Sequence, residues 1–253
     1  MKAPLSLLIT GASSGIGAAL ALEYAAPAVR LFLGGRDRIR LEAVAAACRA
    51  KGALAETAVV DVTDAMAMAD WITAADGAKP LELVIANAGI SGGTAHDHET
   101  SDQTRRIFAV NVTGVLNTVL PVIPLLRARG RGQIALMSSM AGFRGFPGSP
   151  AYCESKAAVK VWGESLRVWL ATDGVEVSVI CPGYIITPMP AVNRFFMPFL
   201  MPAPPAARII RRGLAQNRSR IAFPWPMAAV VNLLAALPPG LVDPLLRLMP
   251  AKD

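Results

Sequence analysis

Short apolar runs of strand character alternate along the chain with alanine-rich stretches of helical spacing. The runs Leu5–Thr10, Val29–Gly34, Leu54–Val60, Leu81–Ala86, Gln133–Ser138 and Val175–Cys181 lack a polar face, as strands buried on both sides do. Between them Gly15–Ala26, Asp37–Ala50, Ala65–Ala74, Gln103–Arg129 and Ala151–Ala171 read as helices, the second with Asp37 as its N-cap. This order predicts an α/β fold, a doubly wound parallel sheet between two layers of helices, whose ligands lie beyond the carboxyl ends of the strands. No internal repeat or low-complexity linker divides the chain, so a single domain is expected. Residues 1–188 form its expected body and residues 189–253 an expected lid and apolar C-terminal segment.

Composition narrows the picture. Charged residues are 17% and hydrophobic residues 53% of 253, which excludes disorder and allows a sizeable core without disulfide or metal. Cys48, Cys153 and Cys181 show neither disulfide nor zinc spacing, which suits a reducing, cytoplasmic setting. The start, MKAPLSLLIT, has an apolar run too short for a secretory core and reads as the first strand. No stretch approaches the roughly 18 uninterrupted apolar residues of a membrane span. The net charge of +7 raises nucleic acid as a partner. Yet the basic residues are dispersed apart from Arg208, Arg211, Arg212, Arg218 and Arg220, with no aromatic-rich binding module, so none is expected. An anionic cofactor or an acidic membrane surface suits the charge equally. His96-Asp97-His98 reads as a solvated loop, and no metal site is expected.

Chemistry concentrates at the strand ends. The loop ITGASSGIG follows the first apolar run with glycines at Gly11, Gly15 and Gly17. Gly11 suits a tight turn, Gly15 lets a pyrophosphate approach the backbone, and Gly17 lets the helix pack closely on the sheet. Ser13, Ser14 and Ile16 share the loop, and the helix that opens there directs free N–H groups at an anion. Its spacing is G-x3-G-x-G, and read alone it is also a tight connection. Asp61-Val62 places a carboxylate at a strand end, fit to accept from an adenine amine or to sit in an exposed loop. Asn87-Ala88-Gly89 makes a small-residue loop able to pass under a ribose, or simply a turn.

Tyr152 and Lys156 stand four residues apart on a helix, hence on one face. An ammonium beside a phenol of ordinary pKa ~10 is expected to lower it, giving a general acid/base for a carbonyl or alcohol oxygen. Ser139, closing the fifth strand, can bond the same oxygen. Asn111 lies mid-helix and needs a polar partner, for which a water linking it to Lys156 is expected. In CPGYIITP, Pro182-Gly183 makes a bend, and Ile185 and Thr187 follow where the cofactor is expected.

TGASSGIG, NAG, NVTG, SSMAG, YCESK and PGYIIT, in this order and spacing, resemble the short-chain dehydrogenase/reductase family over roughly Leu5 to Pro188. The resemblance implies a Rossmann-type enzyme moving hydride between a nicotinamide cofactor and a carbonyl or alcohol. It implies Tyr152 as acid/base, Lys156 tuning it and holding the nicotinamide ribose, Ser139 orienting the substrate oxygen, and Asn111 supporting a water-mediated proton relay. Two departures stand out: Ala86 replaces the first asparagine of the family's NNAG, and Glu154 sits where a small residue is usual.

NAD-binding relatives carry an acidic residue at the end of the second strand; ungapped alignment of the glycine loop puts Gly35 there, followed by Arg36. An arginine attracts a 2′-phosphate that a carboxylate repels, so NADP(H) is favoured over NAD(H). The apolar segment around Phe195, Phe196, Met197, Phe199, Leu200 and Met201 is expected to lid a hydrophobic substrate, or else to fill a core or an interface. The tail after Trp225 reads as two short apolar helices broken at Pro238-Pro239-Gly240, for packing in a homodimer or homotetramer or for peripheral membrane contact. A 3-oxoacyl thioester reductase and a non-catalytic nucleotide sensor of the same fold are the alternatives.

Overall fold

Leu7 and Ile9 point to one face of the first strand and Leu8 to the other, and all are fully buried. The same division recurs for Leu31 and Leu33 against Phe32, and for Leu83 and Ile85 against Val84. Such strands fold only between two apolar layers. The computed structural model, which describes residues 4–92, 99–187 and 197–247, has that arrangement.

Strands β1 (Ser6–Thr10), β2 (Arg30–Gly35), β3 (Leu54–Val59), β4 (Leu83–Ala86), β5 (Gly132–Met137) and β6 (Val175–Pro182) coincide with the expected runs to within a few residues. With β9 (Arg220–Phe223) at the far edge, the sheet order is β3-β2-β1-β4-β5-β6-β9, parallel throughout. The chain reverses direction across the sheet between β1 and β4, which opens a crevice at their carboxyl ends. Helices α1 (Gly15–Tyr24) and α2 (Arg38–Ala50) cover one face, and α3 (Ala65–Ala78) the other. Asp37 caps α2 as expected, its carboxylate accepting from Arg40 N–H at 3.0 Å; Asp64 caps α3 in the same way.

The long helical stretch after β4 is subdivided. Helix α4 (Ser101–Phe108) passes through a π turn (Ala109–Thr113) into α5 (Gly114–Val119), and α6 (Val122–Arg129) follows a break at Leu120-Pro121. The run Ser101–Arg129 reaches a mean hydropathy of 1.7 and is long enough to cross a membrane, but half of its most apolar window is buried in the protein. It is a core element packed with α3 and α7 (Pro150–Leu170).

The last sheet strand escaped the sequence reading. Strand β9 (Arg220–Phe223) pairs with β6 in the register Val179↔Arg220, yet its four residues carry no extended apolar run. Helix α8 (Ala203–Ala215) leads into it and buries Ala206, Ala207, Ile210 and Leu214 in the layer shared with α1. The arginines near it are surface residues in separate pairs: Arg211 bonds Glu23 and lies over Tyr24, while Arg220 bonds Glu164. Two short strands, β7 (Ile185–Ile186) and β8 (Met201–Pro202), pair beside the sheet. The tail forms α9 (Trp225–Ala236) and α10 (Pro239–Leu246), broken where expected. Cys48, Cys153 and Cys181 are buried thiols that form no disulfide among the described residues. His96, Asp97, His98, Phe195 and Phe196 lie outside the described residues.

Candidate active site

The glycine loop leaves β1 through Gly11 (φ +66°) and enters α1 through Gly15 (φ +56°), left-handed conformations that L side chains rarely adopt. A Cβ on Gly17 would stand 2.3 Å from the Gly11 carbonyl oxygen, so its role is the close seating of the helix on the loop. No side chain caps α1 and its first turn has no acidic residue, so its leading N–H groups keep their positive end uncompensated. The loop is braced from outside itself. Asn87 Nδ2 donates to the Thr10 and Gly11 carbonyls at 2.9 and 3.3 Å, and Thr10 Oγ1 accepts from Asn87 and Ala88 N–H at 3.0 and 3.1 Å. Thr10 is a fully buried polar residue that the sequence reading passed over as a strand end.

From this loop a cleft of about 930 Å³ runs along the carboxyl ends of the strands. One end is formed by Ser13, Ser14, Gly15, Ile16, Gly35, Arg36, Asp61 and Val62, the middle by Asn87, Ala88 and Gly89, and the other end by Ser139, Tyr152, Lys156, Pro182, Gly183, Ile185 and Thr187. Arg36 Nη1 stands 3.8 Å from Asp61 Oδ2 in an exposed pair, worth little in water. Asp61 Oδ1 accepts from Thr63 N–H and Oγ1, both at 2.9 Å, which fixes the carboxylate as part of a turn and holds its pKa below the usual range. Arg40, which the sequence reading did not single out, joins this corner and bonds Asp37 at 2.9 Å. Gly17 and Asn111 stand outside the lining.

Asn111 is fully buried in the π turn. Its Oδ1 accepts from Ile90 N–H at 2.8 Å, and its Nδ2 donates to the Ile90 carbonyl at 2.9 Å and to Ser155 Oγ at 3.0 Å. Ser155 Oγ in turn donates to the Tyr152 carbonyl at 2.8 Å. These protein partners let Asn111 fix the backbone after Gly89 to the helix that carries Tyr152. A Cβ on Gly89 would lie 3.2 Å from both Asn111 Oδ1 and Lys156 Nζ, so the two groups flank one point. Ser138 Oγ donates to the Lys156 carbonyl at 2.7 Å and locks the end of β5 to α7.

Tyr152 is half-buried, and Lys156 is 3% exposed with its Nζ 5.6 Å from the Tyr152 ring centre, donating to the Met137 carbonyl at 3.0 Å. Burial pushes the Tyr152 phenol up to about 12 against the opposing hydrogen bond from Ser139. The shift is opposite to the lowering expected from the sequence, and its largest cause is the removal of water from the phenolate. Burial likewise pushes Lys156 down to about 8. The native chain therefore releases this proton near pH 8, whereas an unfolded lysine keeps it to about pH 10.4. Stability rises with pH between those values, and below pH 8 the native state carries the whole cost, at most about 3 kcal/mol. Lys156→Met is expected to be more stable than wild type in urea at pH 7, with the difference shrinking by pH 9.5. An equal difference at both pH values would contradict this origin.

The far end of the cleft is apolar, lined by Met140, Phe146, Pro147, Tyr184, Pro198, Met227, Val230, Val231 and Leu234. The expected lid contributes only Pro198 among its described residues; Phe199 and Leu200 are exposed at 57% and 41%, and Met201 packs on the core. Among the described residues Met227, Val230, Val231 and Leu234 of this wall come from α9, which the sequence reading kept for subunit or membrane contact. Its segment, WPMAAVVNLLAA, is apolar on every side, so no polar stripe told which face turns inward. Glu154 is exposed and lies outside this cleft.

A family model described as short chain dehydrogenase matches residues 6–194. An uncharacterized oxidoreductase of Myxococcus xanthus is 40% identical over 93% of this chain and 94% of its own length. A short-chain dehydrogenase from Sphingobium yanoikuyae, solved in complex with NADPH, superimposes with a TM-score of 0.80 at 27% identity, covering 97% of this chain and 96% of its own. One from Mycobacterium paratuberculosis, bound to NAD, gives 0.77 at 24% identity over 88% and 96% of the two chains.

Proposed function

This chain belongs to the short-chain dehydrogenase/reductase family, oxidoreductases acting on CH–OH and C=O groups, and we propose that it uses NADP(H) to reduce the carbonyl of an apolar substrate. The observation that carries this reading is the placement of Ser139, Tyr152 and Lys156 at one end of a cleft whose other end holds the glycine loop and Arg36. The residues fit a nicotinamide dinucleotide. The free N–H groups opening α1 and the Gly11–Gly15 turn suit its pyrophosphate, Arg36 with Ser13 and Arg40 its 2′-phosphate, and Ala88–Gly89 a ribose. When bound, the nicotinamide supplies or accepts the hydride.

The chain's own residues orient the carbonyl and manage its proton. Tyr152, protonated at neutral pH, donates to the carbonyl oxygen while the Ser139 hydroxyl donates to the same atom. Lys156 holds the ribose and, with a pKa near 8, can release a proton and take one back. Asn111 positions the Gly89–Ile90 backbone and, through Ser155, the first turn of α7. The apolar wall from Met140, Phe146, Met227, Val231 and Leu234 favours a hydrophobic ketone and excludes water from the reacting end. Exposed Trp225, Leu233, Leu241 and Leu245 offer apolar area for a homo-oligomer contact or peripheral membrane contact.

The test is cofactor oxidation across a panel of apolar ketones, with NADPH and NADH compared and a 3-oxoacyl thioester included. Turnover of ketones with a lower KM for NADPH is the expected result. No turnover of any carbonyl, or a strong NADH preference, would remove the corresponding part of the reading.

A further inference from the structure

Helix α9 ends where its chain cannot complete its own hydrogen bonding. In an α-helix the Leu234 carbonyl would take its proton from residue 238, but residues 238 and 239 are both proline and have no N–H to give. The Leu237 cap supplies no backbone bond either. The donor arrives instead from the loop between Ser139 and Tyr152. Arg144 Nη1 donates to the Leu234 carbonyl at 3.3 Å and to the Leu237 carbonyl at 3.0 Å, and its Nη2 lies 3.9 Å from Asp243 of α10. The Arg144 side chain is only 13% exposed, and its cation sits at the negative end of the helix. The preceding residue anchors the loop to the body: Lys160 and Arg220 lie over the Phe143 ring at 5.4 and 5.1 Å from its centre. Phe146 and Pro147, just after Arg144, and Met227 and Leu234 on α9 line the same apolar end of the cleft.

We infer that Arg144 is a positioning residue for the substrate compartment, tying α9 to the Ser139–Tyr152 loop so that the apolar wall stands at a fixed distance from Tyr152. Its effect falls on carbonyl-substrate affinity, and that part rests on the proposed reductase function. The cofactor seat, at the other end of the cleft, is independent of it.

The test measures amide hydrogen exchange in the whole chain, alongside ketone KM, kcat and the NADPH Kd, for wild type, Arg144→Ala and the milder Arg144→Lys. Arg144→Ala is expected to speed exchange in Trp225–Ala236 and Pro239–Leu246 by about tenfold while the sheet stays protected. It should raise ketone KM by about tenfold with kcat and NADPH Kd within about twofold of wild type, and Arg144→Lys should fall between. Unchanged exchange in α9 and α10 in both variants overturns the tether. An equal loss of NADPH affinity, or a fall in kcat at constant KM, overturns the assignment to the substrate wall. Exchange needs no substrate, so a wild type inactive on every ketone would remove the reductase reading while the exchange result still decides the tether.

Discussion

Tyr152→Phe is expected to lower kcat for ketone reduction by about 10^3-fold while NADPH affinity stays within about twofold. The substitution removes one hydroxyl and keeps the ring, so the packing of α7 and the Lys156 position beside that ring are retained. What it removes is the proton source. Hydride addition to a carbonyl leaves an alkoxide in a site walled by apolar side chains, where an unneutralised charge is costly. Ser139 alone can still donate a hydrogen bond but is far too weak an acid to give up its proton at neutral pH. Single-turnover reduction in the presence of saturating NADPH measures the step directly. Turnover within about threefold of wild type would reject Tyr152 as the acid.

Exchanging the residues after β2 is expected to change which cofactor is used. Arg36→Ala should raise the KM for NADPH by about 10- to 100-fold, the range of a lost charge-assisted bond, and leave that for NADH nearly unchanged. Arg36 is available for such a bond because its ion pair among the described residues, with Asp61 at 3.8 Å, is long and lies in solvent. Gly35→Asp tests the same corner from the opposite side. A Cβ there would stand 3.3 Å from Ser13 Oγ, tight but adjustable, and the carboxylate would face the position proposed for the 2′-phosphate. It should depress NADPH use and improve NADH use, reversing the preference in kcat/KM. Asp37 offers no such carboxylate, since it is committed to capping α2 and to Arg40. An Arg36→Ala variant with an unaltered ratio of the two cofactors would leave NADP(H) preference without support.

Much of this was legible along the chain. The inner strands β1, β2, β4, β5 and β6 announced themselves as largely apolar runs, because a parallel sheet covered on both sides buries nearly every position; β3, at the edge, carries exposed Glu56 and Thr57. The glycine loop, the Asp37 cap and the Tyr152–Lys156 spacing were equally readable, since each is local to one turn or one helix. Strand β9 was not, for its four residues gain their place by pairing with β6 rather than by a pattern of their own. The part α9 takes in lining the cleft was not legible, because the helix has no polar face to orient it and only its docking against the loop at Phe146 chose one.

The ionisation of the site shows the same division. Sequence spacing alone placed an ammonium beside a phenol and so pointed to a lowered pKa, whereas the folded chain raises Tyr152 and lowers Lys156. Spacing determines which groups meet on a helix; the extent to which water is removed from them depends on what packs over that helix from elsewhere. The fold class, the glycine loop and the spacing of the residues proposed to react were thus determined by the sequence itself, as periodicity and spacing within single elements. The orientation of α9, the partners of Asn111 and the tether at Arg144, ninety-three residues from the Leu237 carbonyl it holds, were decided only by tertiary structure, because they are contacts between segments that no local pattern relates.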